Sequence, residues 1–177
     1  MLTNPTPSNP LVLYYADKTP SMKNENVIQV SGGKIVGVGR SKNVVRFLKT
    51  VPQIFNEQRE RQNISLIDHP RRVGVFAVIG VFVSPNSESG ISKQDEDKMY
   101  TSLQECLQGS VVEDDRQVLF HAVTTFPVPV KKGVFSILFV WEILETMPTA
   151  SVIETFVEFY NNFYKDKHIS DFLKVVK

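Results

Sequence analysis

The chain has a single cysteine, Cys106, in 177 residues. A lone thiol excludes an internal disulfide and suits a reducing compartment. Its three histidines, His69, His121 and His168, are spread along the chain, so zinc-ligand spacing is missing too. Long hydrophobic runs are missing as well: the longest, VGVFAVIGVFV, covers 73–83, well short of the roughly 20 residues a membrane-crossing helix needs. The opening MLTNPTPSNP has no basic region and no apolar core of a signal peptide, so secretion by its own signal is not expected. There is no Gly-x-Ser-x-Gly elbow. Asp95-Glu96-Asp97 suits a helix start better than acid–base chemistry. Cys106 falls on the apolar stripe of a candidate helix and reads as core. These absences predict a protein that is not an enzyme, with no cofactor, no metal and no small-molecule substrate.

Glycine is sparse overall, yet four of nine lie in SGGKIVGVGRSK (31–42). A phosphate loop of the Walker type needs Gly-Lys-Ser/Thr after its second glycine; here Val38 follows Gly37. A dinucleotide fingerprint needs a third glycine where Lys42 stands. The stretch is better read as a hairpin, with Val27–Val30 and Lys34–Val38 as strands and Gly32-Gly33 as the turn.

What is present is an ordinary globular composition, 42% hydrophobic and 22% charged, enough for one domain. The net charge of +1 conceals a division. From Lys34 to Arg72, nine cations (Lys34, Arg40, Lys42, Arg46, Lys49, Arg59, Arg61, Arg71 and Arg72) face only Glu57, Glu60 and Asp68. From Ser84 to Arg116, eight acids face three bases. The nine cations are the candidate contacts to an anionic lipid surface or to RNA, although two solvated surfaces with no partner would give the same pattern. The interleaved aromatics of single-strand binders are missing.

Residues 1–15 read as a flexible arm: Pro5, Pro7 and Pro10 among polar residues, then the apolar patch Leu11, Val12, Leu13, Tyr14 and Tyr15. Such a patch docks on its own domain or on a neighbour, which makes these eight residues candidates for self-association. Residues 16–177 form the domain. Ser41 is placed to cap a helix that Pro52 ends or kinks. Arg71–Ser84 reads as a central strand. Ser92–Gly109 reads as a helix opened by Ser92 and Asp95, and Arg116–Phe126 and Val134–Leu144 read as strands. Ser151 with Glu154 opens a last helix, with Ile153 and Val157 on its buried face. The fold class is therefore α+β: one domain, a mostly antiparallel sheet covered by two or three helices.

The order of RRVGVFAVIGVFVS, SKQDEDKMYTSLQECLQG, RQVLFHAVTTFPVP, KKGVFSILFVWEI, a helix and ISDFLKVVK resembles that of rhabdovirus matrix proteins, particularly the small ones of plant cytorhabdoviruses. The resemblance implies a non-enzymatic virion protein that self-associates through an extended arm, condenses the nucleocapsid with its RNA, and sits peripherally on membrane in virion and host cytoplasm. The chain departs from the animal-virus pattern. Its arm is uncharged, it has no Pro-Pro-x-Tyr, and Pro148-Thr149-Ala150-Ser151 lacks a final proline. The same residues also fit a cellular α+β interaction or adaptor domain.

Overall fold

The computed structural model describes residues 4–21, 26–83, 96–128, 130–144 and, further on, 150, 151, 153, 154, 157 and 161. In chain order these give strand β1 (Leu11–Tyr15), strand β2 (Asn26–Ser31), strand β3 (Lys34–Arg40), helix α1 (Lys42–Arg61), strand β4 (Arg72–Phe82), helix α2 (Glu96–Leu107), strand β5 (Val118–Val128) and strand β6 (Phe135–Ile143). The expected loop at 84–90, the Ser92–Asp95 cap and the tail ISDFLKVVK lie outside the described residues.

The architecture is α+β. A four-stranded sheet runs in the order β1-β6-β4-β5, with β2 and β3 forming a separate hairpin. The pairs β1–β6, β4–β6 and β2–β3 are antiparallel, and β4–β5 is parallel. Strand β4 is buried from Val73 to Val81. Its two faces serve two clusters, so the run is apolar throughout instead of alternating. On one face Val75, Ala77 and Ile79 join Leu138 and Val140 of β6, Phe47, Val51 and Phe55 of α1, and Met99, Leu103 and Cys106 of α2. On the other, Phe76 and Val78 join Ile137, Phe139 and Trp141.

Two sequence expectations meet the structure here. The first concerns the arm, whose strand-like apolar patch the sequence allows to dock on its own domain or on a neighbour. From Leu11 onward it is not free: β1 pairs with β6 of its own chain from Leu11↔Val140 to Tyr15↔Ser136. Leu11 and Leu13 are fully buried, and Pro5 is held where its carbonyl accepts from the Glu142 N–H. Burying two leucines is worth about 1.5–3 kcal/mol each, and five residues of ladder add to that. Together these terms offset the entropy of ordering the strand, about 1–2 kcal/mol per residue. The second concerns Pro52, which neither ends α1 nor divides it. Proline removes one backbone hydrogen bond, at a cost of about 3 kcal/mol. Val44, Phe47, Val51 and Phe55, all buried at helical spacing on both sides of Pro52, offset it.

Candidate anionic-surface interface

Gly32 and Gly33 have φ of 56° and 77°, the positive values that a two-residue primed turn requires. They fold β2 onto β3 with Ile28 opposite Val38 and Val30 opposite Ile35; a bulge beside Gln29 leaves Val36 unmatched. Directly opposed residues share a face, and so do residues two apart. Ile28, Val30, Ile35 and Val38 therefore form one continuous β-branched face. The other face carries Val27 and Gln29 over two glycines. The Gln29 amide lies across Gly39, where any Cβ would collide with it.

That apolar face is bare. Ile28 is 64% exposed, Val30 60%, Ile35 71% and Val38 69%, with the bulged Val36 at 63%. The hairpin is tied to the body near its base, where Arg40 pairs with Glu105 of α2 at 3.3 Å. Helix α1 then starts at once. The Ser41 hydroxyl accepts from the Val44 N–H at 3.3 Å, as a cap should.

Of the nine candidate cations, Lys34, Lys42, Arg46 and Lys49 are exposed and form no ion pair with a described residue. Lys42, Arg46 and Lys49 stand at i, i+4 and i+7, one stripe of α1. Arg40 is exposed but paired, and Arg61 is exposed and within 3.6 Å of Glu57. The remaining three belong to the scaffold. Arg59 is buried, donating to the carbonyls of Ser110 (2.8 Å) and Ile64 (2.6 Å) and to the side chain of Asn56 (2.7 Å). A guanidinium tied this way, with three of its five donors committed, bridges α1 to the segment after α2, and its burial keeps it from a lipid or RNA phosphate. Arg71 is half-buried between Asp68 and Glu142, and Arg72 donates to the Arg116 carbonyl.

The arm residues do not offer a free strand edge. The outer edge of β1 is closed by two glutamines one turn apart, Gln58 on α1 and Gln62 at its C-cap. Gln62 accepts from the Val12 N–H (3.0 Å) and donates to its carbonyl (2.7 Å); Gln58 does the same for Tyr14 (2.8 and 2.9 Å). A primary amide has the donor and acceptor that a neighbouring strand would supply. Four residues of helix advance about 6 Å, close to the spacing of alternate strand residues, so the two amides keep register with the edge. Nothing in the spacing of Gln58 and Gln62 signals this role. Beside them, Tyr14, Lys18, Asn43, Arg46, Phe47 and Thr50 line a cleft of about 580 Å³. Tyr15 stands edge-on to Phe47 at 5.3 Å, and burial, with Asp17 nearby, pushes its phenol up from the usual value.

His121 stacks on Tyr100 with centroids 4.2 Å apart. Cys106 is fully buried and burial pushes its thiol well above the usual value, the opposite of an activated nucleophile. Among the described residues no group of three His, Cys, Asp or Glu could hold a metal ion, and no helix is long and apolar enough to cross a membrane. The chain matches no protein-family model and no curated protein.

Proposed function

We propose that the chain is a non-enzymatic assembly protein of the viral matrix type. In this reading it binds copies of itself, condenses a ribonucleoprotein, and ties it to an anionic membrane surface. The observation that carries the reading is the stripe Lys42, Arg46 and Lys49 beside Lys34: four exposed cations without carboxylate partners among the described residues. Cations with no local counter-charge favour phosphate-bearing surfaces, at about 1 kcal/mol each near an anionic bilayer.

Replacing Lys42, Arg46 and Lys49 by glutamine together is expected to weaken binding to both phosphatidylserine vesicles and RNA by roughly a hundredfold. It should flatten the salt dependence by about two to three counterions. Cosedimentation across a salt series checks this; retention at wild-type strength by the triple variant would sink the reading. Turnover of nothing is expected.

A second reading, a cellular α+β adaptor domain, is favoured by one specific observation. The N-terminal strand lies on its own domain behind the Gln58–Gln62 cover, so arm exchange is not what this conformation offers. Sedimentation over a wide concentration range separates the two. A sharp monomer that retains neither lipid nor RNA supports the adaptor, and concentration-dependent growth supports assembly.

A further inference from the structure

We propose that the apolar face of the β2–β3 hairpin enters the headgroup–acyl boundary of an anionic bilayer, with Lys34, Lys42, Arg46 and Lys49 held against the lipid headgroups. Resting on the matrix-type reading above, it gives that interface a lipid partner and a mode of entry. Ile28, Val30, Ile35, Val36 and Val38 are each at least 60% exposed. At about 60–120 Å² per side chain, as the usual transfer energies imply, they present a patch of roughly 200–400 Å². That is comparable with the largest patch a soluble monomer carries, which is often functional.

Charge chooses among the occupants. Residues 26–56 contain five cations and no aspartate or glutamate. Val45, 54% exposed, sits between Lys42 and Lys49 on α1, so the cationic stripe is itself interrupted by an apolar side chain. A surface both apolar and cationic matches an anionic lipid interface, where alkyl groups go inward and ammonium groups stay with the headgroups. RNA would use the cations but leave the β-branched face wet, and the hairpin has no aromatic residue for a base to stack on. A second copy placed face to face would cover the apolar residues but bring together two segments 26–56 that carry only cations, with no carboxylate between them.

The backbone limits the depth. The outer edges of β2 and β3 have no strand partner among the described residues. Unpaired N–H and C=O groups cannot enter hydrocarbon. Entry therefore stops at about 5–10 Å, with side chains below the phosphates and the hairpin backbone still hydrated. Lys34, beside the Gly32-Gly33 turn, pairs with Ser31 on the face opposite Val30 and Ile35, which keeps its ammonium on the headgroup side while the apolar face points inward.

The experiment uses the full chain carrying Ile35→Cys labelled with an environment-sensitive nitrobenzoxadiazole; Cys106 is fully buried, so the label goes to position 35. Phosphatidylcholine vesicles with and without phosphatidylserine are the probes. The expected result is a blue shift with a several-fold rise in emission on phosphatidylserine vesicles only, quenched by acyl-brominated lipid. Ile28→Gln/Val38→Gln should lower the partition coefficient at least tenfold while leaving RNA binding unchanged. Circular dichroism confirms the fold, because neither residue is in the core. Vesicle binding with the label still in water overturns the insertion and leaves the anionic-surface reading standing. RNA binding with no vesicle binding overturns the insertion and the lipid half of that reading. Emission that rises with protein concentration in the absence of vesicles assigns the face to a second copy and overturns the insertion.

Discussion

Arg59 and Arg46 are both arginines of the same helix, and their environments separate them completely. Arg59 satisfies two backbone carbonyls and Asn56 from a buried position, whereas Arg46 is exposed at the rim of the α1 cleft. Removing a buried donor leaves its acceptors unsatisfied, at about 1–3 kcal/mol per group. Arg59→Ala is therefore expected to destabilise the fold by about 3 kcal/mol, and Arg46→Ala by less than about 0.5 kcal/mol. Urea denaturation of the two variants measures the difference, and equal midpoints would contradict the scaffold role. The sequence could not separate them, since both sit in one basic run. The backbone at the end of α1 was no more legible. Asn63, at φ 57°, closes the helix with the Ile64 N–H donating to the Arg59 carbonyl and the Asn63 N–H to that of Glu60, the paired bonds of a Schellman motif.

At the scale of elements, the chain treats its two exposed β features differently. Edge β1 has its backbone covered by Gln58 and Gln62, while hairpin β2–β3 is left without a strand partner on either side among the described residues. Uncovered edges invite pairing with other chains, so the amide cover is expected to act as protection. Gln58→Ala with Gln62→Ala should cost about 2–6 kcal/mol, from four hydrogen bonds at a net of about 0.5–1.5 kcal/mol each. It should also raise the rate of strand-mediated aggregation. Thioflavin fluorescence and thermal melting read the two effects, and an unchanged aggregation rate would show that the edge is protected by something else. The elements themselves were largely legible. The Gly32-Gly33 turn, the Ser41 cap, the central β4 and the strands β5 and β6 stand where turn chemistry and periodicity placed them. Pro52 misled because local propensity was outweighed by Val51 and Phe55, which the tertiary fold buries on its two sides. Ile153 and Val157, expected to face inward, are each 49% exposed; period alone gives a stripe but not the partner it meets.

For the whole molecule, the hairpin is an appendage to a core that is complete without it. No residue of β2 or β3 belongs to either hydrophobic cluster. Replacing residues 26–40 by a short glycine–serine linker is expected to shift the melting temperature by no more than a few degrees, since loop closure changes by well under 1 kcal/mol. The same deletion should abolish uptake by anionic vesicles beyond what the α1 stripe alone supports. Calorimetry together with flotation measures both, and global unfolding on deletion would mean that the hairpin is structural. Because the hairpin lies outside both clusters, mutations in it are expected to separate stability from the proposed surface binding.

The sequence by itself determined the α+β class, the central position of β4 and the cationic character of 34–49, because composition, turn residues and apolar runs are local properties. Only the tertiary structure decided which cations face solvent, that the N-terminal strand lies on its own sheet, and that the β-branched face of the hairpin is left bare. Exposure is a relation between elements. A strand reading Ile-x-Val is the same string whether a helix covers it or not, and the helices of this chain cover β4 and β6 instead.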